Sequence, residues 1–216
     1  MTLAQSKRTL IAVCAGAALA ALALTGIATP APACTFCGKN LIKNPGAESG
    51  KGLNAANEAG AVPGWTNTVG QFSAALYTGF GVGWFSAASK GPADRGRNYF
   101  FGGTTPAATG AKATIGTQTI KAPSGAAGHK ATLSGWLGNY GSNTAQVRAQ
   151  FTNGAGKVLG TLRIGPDSTI GGEDMAFRTR STVVPGGTVG IAIVVTFTDH
   201  ANYNLAGADA LSLVLS

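Results

Sequence analysis

The chain has 216 residues, a formal net charge of +8 and 33 glycines. Its basic residues are scattered in sequence, with no basic stripe and no aromatic-basic repeat, so the footprint of a nucleic-acid binder is missing. The glycines keep no three-residue period, which excludes a collagen-like chain.

The first 33 residues read as a secretory signal. Lys7 and Arg8 form a short positive start, and no charged residue follows from Thr9 to Ala28. The exit Thr29-Pro30-Ala31-Pro32-Ala33 has small residues in a cleavage pattern, so cleavage is expected after Ala33. A membrane anchor is one rival, since a helix of about 20 residues spans a bilayer. The proline-rich exit and the lack of a flanking basic stop signal favour removal. Lipidation at Cys34 is another rival, and Ala31-Pro32-Ala33 lacks the large aliphatic residue expected for it. The reading therefore expects export, no membrane span after signal removal, and a location outside the cell or at its envelope.

Residues 34–39 form a short segment with Cys34 and Cys37, and residues 40–216 form one domain. A disulfide loop is the expected state of this Cys-x-x-Cys in an exported chain, with an unstructured end as the alternative. A metal knuckle would want a second cysteine pair, which the sequence lacks.

The domain reads as strands separated by glycine-rich turns. Leu41–Glu48 is expected as a first strand, and residues 49–61 as a loop. Val62-Pro63-Gly64-Trp65 is a turn. A short alternation over Phe72–Tyr77 suggests a strand, followed by a long loop over 78–98 that carries Trp84. Asn98–Phe101, Ala113–Ile120 and Lys130–Leu137 are further strands. Ala145, Val147, Ala149 and Phe151 alternate with Gln146, Arg148 and Gln150, the period of a half-buried strand. Asn153-Gly154 turns this strand into another at Val158–Ile164. Thr188–Phe197 and Asp209–Leu215 complete the set. No helical apolar period is sustained. The expected architecture is all-β, a two-sheet antiparallel β-sandwich of jelly-roll type.

The sequence carries no hydrolase elbow, zinc-protease motif or phosphate loop. His129 and His200 are its histidines. The carboxylates Glu48, Glu58, Asp94, Asp167, Glu173, Asp174, Asp199 and Asp209 fall mostly in loops. Glu173-Asp174 with Arg178 and Arg180 reads as a local charge cluster. Asp209 shares parity with Leu211, Leu213 and Leu215, so its carboxylate is expected on the core side, where it needs a partner or a metal. If the first and last strands are neighbours, Glu48 meets Asp209, and Ca²⁺ would relieve their repulsion. Asp209 facing solvent is the alternative. Trp65, Trp84, Trp136, Tyr140 and Tyr203 are candidate sugar-stacking rings. Trp136 has the opposite parity to Leu133 and Leu137, which puts it on an outer face. Packing over a sheet edge is the alternative for each ring.

Four stretches, Asn40-Leu41-Ile42-Lys43-Asn44-Pro45-Gly46-Ala47-Glu48, Val62-Pro63-Gly64-Trp65-Thr66, Leu133-Ser134-Gly135-Trp136-Leu137-Gly138 and Ala208-Asp209-Ala210-Leu211-Ser212-Leu213, resemble galactose-binding-like jelly-roll domains. Secreted bacterial carbohydrate-binding modules share this fold. The resemblance spans nearly all of residues 40–215. It implies a structural Ca²⁺ held by Glu48 and Asp209, and a polysaccharide or cell-wall glycan as partner. Three functions follow as expectations: a non-catalytic carbohydrate-binding module, a structural or adhesive envelope protein without a sugar site, and a hydrolase.

Overall fold

In the computed structural model, which describes residues 34–55, 60–81, 84–103, 112–167, 172–199 and 204–216, strict alternation becomes strict burial. From Thr144 to Thr152 every second residue is buried. The strands are β1 (Leu53–Ala55), β2 (Thr66–Val69), β3 (Ser73–Phe80), β4 (Asn98–Phe101), β5 (Ala113–Lys121), β6 (Lys130–Asn139), β7 (Thr144–Thr152), β8 (Val158–Asp167), β9 (Met175–Val183), β10 (Gly190–Thr198) and β11 (Ala206–Leu215). The signal reading, Glu58, His200 and Tyr203 lie outside the described residues. Among the described residues, no helix is long and apolar enough to cross a membrane.

The strands form an all-β, two-sheet sandwich of jelly-roll type. One sheet runs β1-β3-β4-β11-β6-β9 and the other β2-β5-β10-β7-β8. Pairing is antiparallel except between β1 and β3. The expected hairpin joins β7 to β8, where the Asn153 side chain accepts from the N–H groups of Ala155 and Lys157.

The main core fills the space between the sheets. Leu133 and Leu137 of β6, Phe151 of β7, Ile193 and Phe197 of β10 and Leu213 of β11 have no exposed surface. Each contributes about 1.5–3 kcal/mol by leaving water. Phe72 stacks between Phe100 at 5.4 Å and Phe197 at 6.1 Å.

A second apolar cluster covers the other face of the six-stranded sheet. Tyr77, Tyr99 and Phe101 project from it and meet Trp84, Phe85, Met175 and Leu205. All four residues of β4 are therefore buried. The loop expected over residues 78–98 is shorter, because β3 runs on to Phe80. Trp84 and Phe85 from this loop act as a lid that turns an outer sheet face into a second core.

Leu41–Glu48 is not a strand. The segment runs beside β11, and Asn40 just before it makes one isolated bridge, to Val214. The Asn40 side chain stands in for a ladder, donating to Leu211 O at 2.9 Å and accepting from Leu213 N at 3.0 Å. Asn44 and Ala47 then take positive φ values of 48° and 60°, which curl the chain out of extended form. The neighbourhood expected of this segment and the last strand holds even though its strand character does not. Leu41 N donates to Leu213 O, and Leu211 N to Pro45 O.

Cys34 and Cys37 are disulfide-bonded. The loop they close is docked, with Gly38 N donating to Leu215 O at 3.0 Å. Phe36 meets the His129 ring edge-on at 5.2 Å.

Candidate functional site

Two places on the domain gather polar chemistry. The first is around Asp209. A bulge interrupts β11: Asp209 lies opposite Trp136, but Ser212 lies opposite Ser134. Three residues on β11 thus match two on β6, with Ala210 at φ 47° taking up the excess. This inverts the parity read from sequence. Leu211, Leu213 and Leu215 face the main core, whereas Asp209 faces the lid side. Its burial is as expected, at 1% exposed, but the lid supplies it.

Asp209 Oδ2 accepts from the Tyr77 hydroxyl at 2.8 Å, and Oδ1 from Ala210 N at 2.6 Å. Burial pushes the carboxyl up to about 7. The two hydrogen bonds and the Arg95 charge pull it down, while the Glu48 charge adds to the rise. Arg95 lies 5.0 Å from the centre of the Tyr77 ring, but its nitrogens donate to the carbonyls of Pro92 and Ser86. Burial also raises Tyr77, with the Asp209 charge next, so the phenol stays neutral.

Glu48 comes to the same place. Its carboxylate accepts from Arg97 N at 3.0 Å and Asn98 N at 2.8 Å, a backbone nest at the start of β4. A Cβ at position 46 would stand 3.0 Å from Asp209 Oδ1 and 3.8 Å from Glu48 Oε1, so any larger residue there would make the Asp209 carboxylate give by a few tenths of an ångström. Asn98 pins that turn through Ala47 O at 2.9 Å and Gly50 O at 3.1 Å. Among the described residues, the three non-glycine residues with positive φ, Asn44, Ala47 and Ala210, all flank these two carboxylates. Strain of that kind collects where the surroundings over-determine the backbone. Glu48 and Asp209, whose charges repel one another, are the residues here that could hold a hard cation bound through oxygen.

The second place is the outer face of the five-stranded sheet. A recess of about 390 Å³ is lined by Thr144, Gln146, Arg148, Pro166, Thr196 and Thr198. The register explains it: Thr144 faces Thr198, and Gln146 faces Thr196, across β7 and β10. The β7–β8 ladder is irregular between Ala145 and Val147, where Pro166 enters the lining. Arg148 Nε and Thr196 Oγ1 are buried here without a hydrogen-bond partner. Buried polar atoms are nearly always partnered, so such a pair points to an occupant. Arg163 sits directly across β8 from Arg148. Next to this recess, a cavity of about 310 Å³ is lined by Arg163, Ile164, Gly165, Pro166, Arg178, Thr179 and Arg180.

The aromatic candidates are placed differently from one another. Trp84 is 3% exposed and donates to Leu76 O, so its ring has no face for a sugar. Trp65 is half-buried, packs on Phe100 at 5.0 Å and donates to Asn44 O at 3.3 Å. Trp136 and Tyr140 are half-buried against the lid cluster. Trp136 is on the expected outer face, where it meets Phe177, itself 50% exposed, at 5.9 Å. None of these rings lines the recess.

Among the described residues, Cys34, Cys37 and His129 bring three potential metal-ligand atoms within 4.8 Å of one another. His129 Nδ1 is 3.8 Å from Cys37 Sγ. With the pair oxidised, the thiolate charge that draws a metal is spent in the disulfide.

By sequence, no family model and no curated protein matches the chain. By structure it is similar to the enzymatically active domain of tailspike protein 4 of bacteriophage CBA120. That match has 15% identity and a TM-score of 0.53, over 82% of this chain and 21% of the tailspike chain. The chain thus spans about a fifth of that protein. It is also similar to TmCBM61 in complex with β-1,4-galactotriose, at 14% identity and TM-score 0.47, over 82% and 99% of the two chains. The CBM22-1 xylan-binding domain of Paenibacillus barcinonensis Xyn10C follows, at 10% identity and TM-score 0.43, over 75% and 91%. The tailspike likeness establishes the fold and nothing finer.

Proposed function

We propose that this is an exported, non-catalytic carbohydrate-binding domain, and that the recess on the five-stranded sheet is its binding surface. The observation that carries the reading is the recess itself, with Arg148 Nε and Thr196 Oγ1 buried in its wall and unpartnered. Sugar hydroxyls both donate and accept, so they suit a wall of Thr hydroxyls, a Gln amide and a guanidinium. Among the described residues its lining holds no carboxylate or histidine, and glycoside cleavage uses a carboxylate pair. Binding, rather than hydrolysis, is the chemistry this wall supports. The resemblance of the opening and closing motifs to galactose-binding-like modules points the same way.

A structural Ca²⁺ is part of the proposal. Glu48 and Asp209 would hold it, with backbone carbonyls of the adjoining turn completing an oxygen shell. It would supply charge neutralisation between the two carboxylates and stand remote from any bond-making step. Export rests on the N-terminal sequence pattern, and the partner class is a cell-wall or extracellular polysaccharide.

A second reading, a structural or adhesive envelope domain without a sugar site, draws on the packing of Trp65 and Trp84. Affinity electrophoresis in gels containing galactan, xylan, polygalacturonate or alginate, run with Ca²⁺, separates the two. Retardation by at least one glycan, lost in Thr196→Val and Gln146→Ala, supports the sugar site. No retardation by any glycan, or retardation untouched by both substitutions, overturns it in favour of the second reading.

A further inference from the structure

We infer that the recess takes an acidic glycan, a polysaccharide whose sugars carry carboxylates, and that Arg148 and Arg163 clamp the carboxylate. This rests on the sugar-binding reading above and names its substrate class.

The first support is the pairing of like charges. Arg148 and Arg163 are directly opposite across β7 and β8. Side chains so placed start about 5 Å apart, and like charges there destabilise a sheet. An anion held between them removes that cost. The second support is the state of Arg148. Its Nε is shut away from water and has no acceptor. A guanidinium presents its donors as a planar fork that matches a carboxylate with two parallel hydrogen bonds. A neutral sugar hydroxyl satisfies one donor and leaves the charge uncompensated.

The third support is the direction in which positive charge continues. Pro166 lines both cavities, and beyond it stand Arg163, Arg178 and Arg180. Arg163 and Arg180 are exposed and have no carboxylate partner among the described residues. The charge therefore forms a track across β7, β8 and β9, suited to a polymer with a repeating anion rather than to one ion. The fourth support is chemical balance within the recess. Thr144, Gln146, Thr196 and Thr198 stand beside the arginine and can bond hydroxyls. No aromatic residue among the described residues lines it, so the ligand is held by charge and hydrogen bonds instead of ring stacking. A nucleic acid would also meet the arginines, but its bases would find no ring on which to stack.

The test uses the full chain with Ca²⁺ present and four probes: polygalacturonate, alginate, neutral galactan and single-stranded DNA. Binding is followed by calorimetry at low and at moderate salt. The expected result is binding to a uronate polymer, weakened roughly tenfold or more by Arg148→Gln and by Arg163→Gln. Lys130→Gln, which removes the same charge elsewhere, should leave it unchanged. Arg163 is exposed, so its variant keeps the test valid should Arg148→Gln unfold; melting curves check both. Binding to galactan without uronate binding would overturn the acidic assignment and keep the sugar site. Binding to DNA as tight as to uronates, with the arginine variants no weaker than Lys130→Gln, would overturn it as general charge attraction. Binding to no polysaccharide would overturn both readings.

Discussion

The Tyr77 hydroxyl donates to Asp209 Oδ2 at 2.8 Å, and so ties β3 to β11 across the strand that lies between them, β4. One hydrogen bond thereby reports on the lid, the bulge and the carboxylate at once.

Tyr77→Phe should remove one of the two neutral donors to a buried carboxylate while keeping the ring that packs on Tyr99 at 4.9 Å. The expected loss is about 1–3 kcal/mol of unfolding free energy. Urea denaturation at pH 8, where Asp209 is mostly ionised in the metal-free protein, measures it. An unchanged midpoint would show that the bond contributes nothing.

Chelated protein should lose stability as pH rises from about 4 to about 7. Asp209 has its carboxyl raised from 3.8 to about 7 in the fold. Between those values the folded state holds more protons than the unfolded state, so unfolding free energy falls with pH and levels off above about 7. Melting temperatures of the wild type and of Asp209→Asn, taken from pH 4 to pH 8, test this. The variant should lack this part of the slope.

Excess Ca²⁺ should raise the melting temperature, by an amount equivalent to about 2.7 kcal/mol at a hundredfold excess over the dissociation constant. Chelator should reverse the rise. Glu48→Ala and Asp209→Ala should each abolish the response to metal. A melting temperature indifferent to Ca²⁺ and to chelator would remove the ion from the account.

Gly96→Ala should be costly for a residue on an exposed loop. Gly96 has φ 64°, and a Cβ there would stand 2.5 Å from Glu48 Oε1. The left-handed backbone alone costs about 1–2 kcal/mol in an alanine. Displacing Glu48 should also lower the apparent affinity for Ca²⁺, read by titration of the melting temperature.

Much of the sandwich was legible because half-buried strands print their period. β7 is the clearest case, with polar and apolar residues in strict turn. β9 is the opposite case. It is an edge strand with mostly exposed residues, so burial selects no alternation and its sequence carries no strand period. The segment Leu41–Glu48 misled because its apolar residues suit a strand, while its conformation is set by Asn40, Asn44 and Ala47 acting through side chain and φ. Asp209 was rightly expected to be buried and near Glu48, but on the wrong face. A bulge shifts parity by one residue, and Asp209-Ala210-Leu211 carries no mark of it. Tyr77 and Arg95 are distant in sequence from Asp209, so nothing local linked them to it. The arginine track shows the same gap. Arg148, Arg163, Arg178 and Arg180 are spaced 15, 15 and 2 residues apart, which reads as scatter. Three adjacent hairpin and edge strands bring them together.

The docked disulfide loop has a consequence for how the chain can be cut and joined. Gly38 bonds to Leu215, and Ser216 N donates to Lys130 O, so residues 38 and 215 are neighbours in space. A short bridge from Ser216 back to Cys34 would close the backbone into a ring without disturbing either sheet. New ends opened at the exposed 154–157 tip would then leave every strand neighbour and both polar sites in place. The order of strands along the chain is thus separable from the architecture they build.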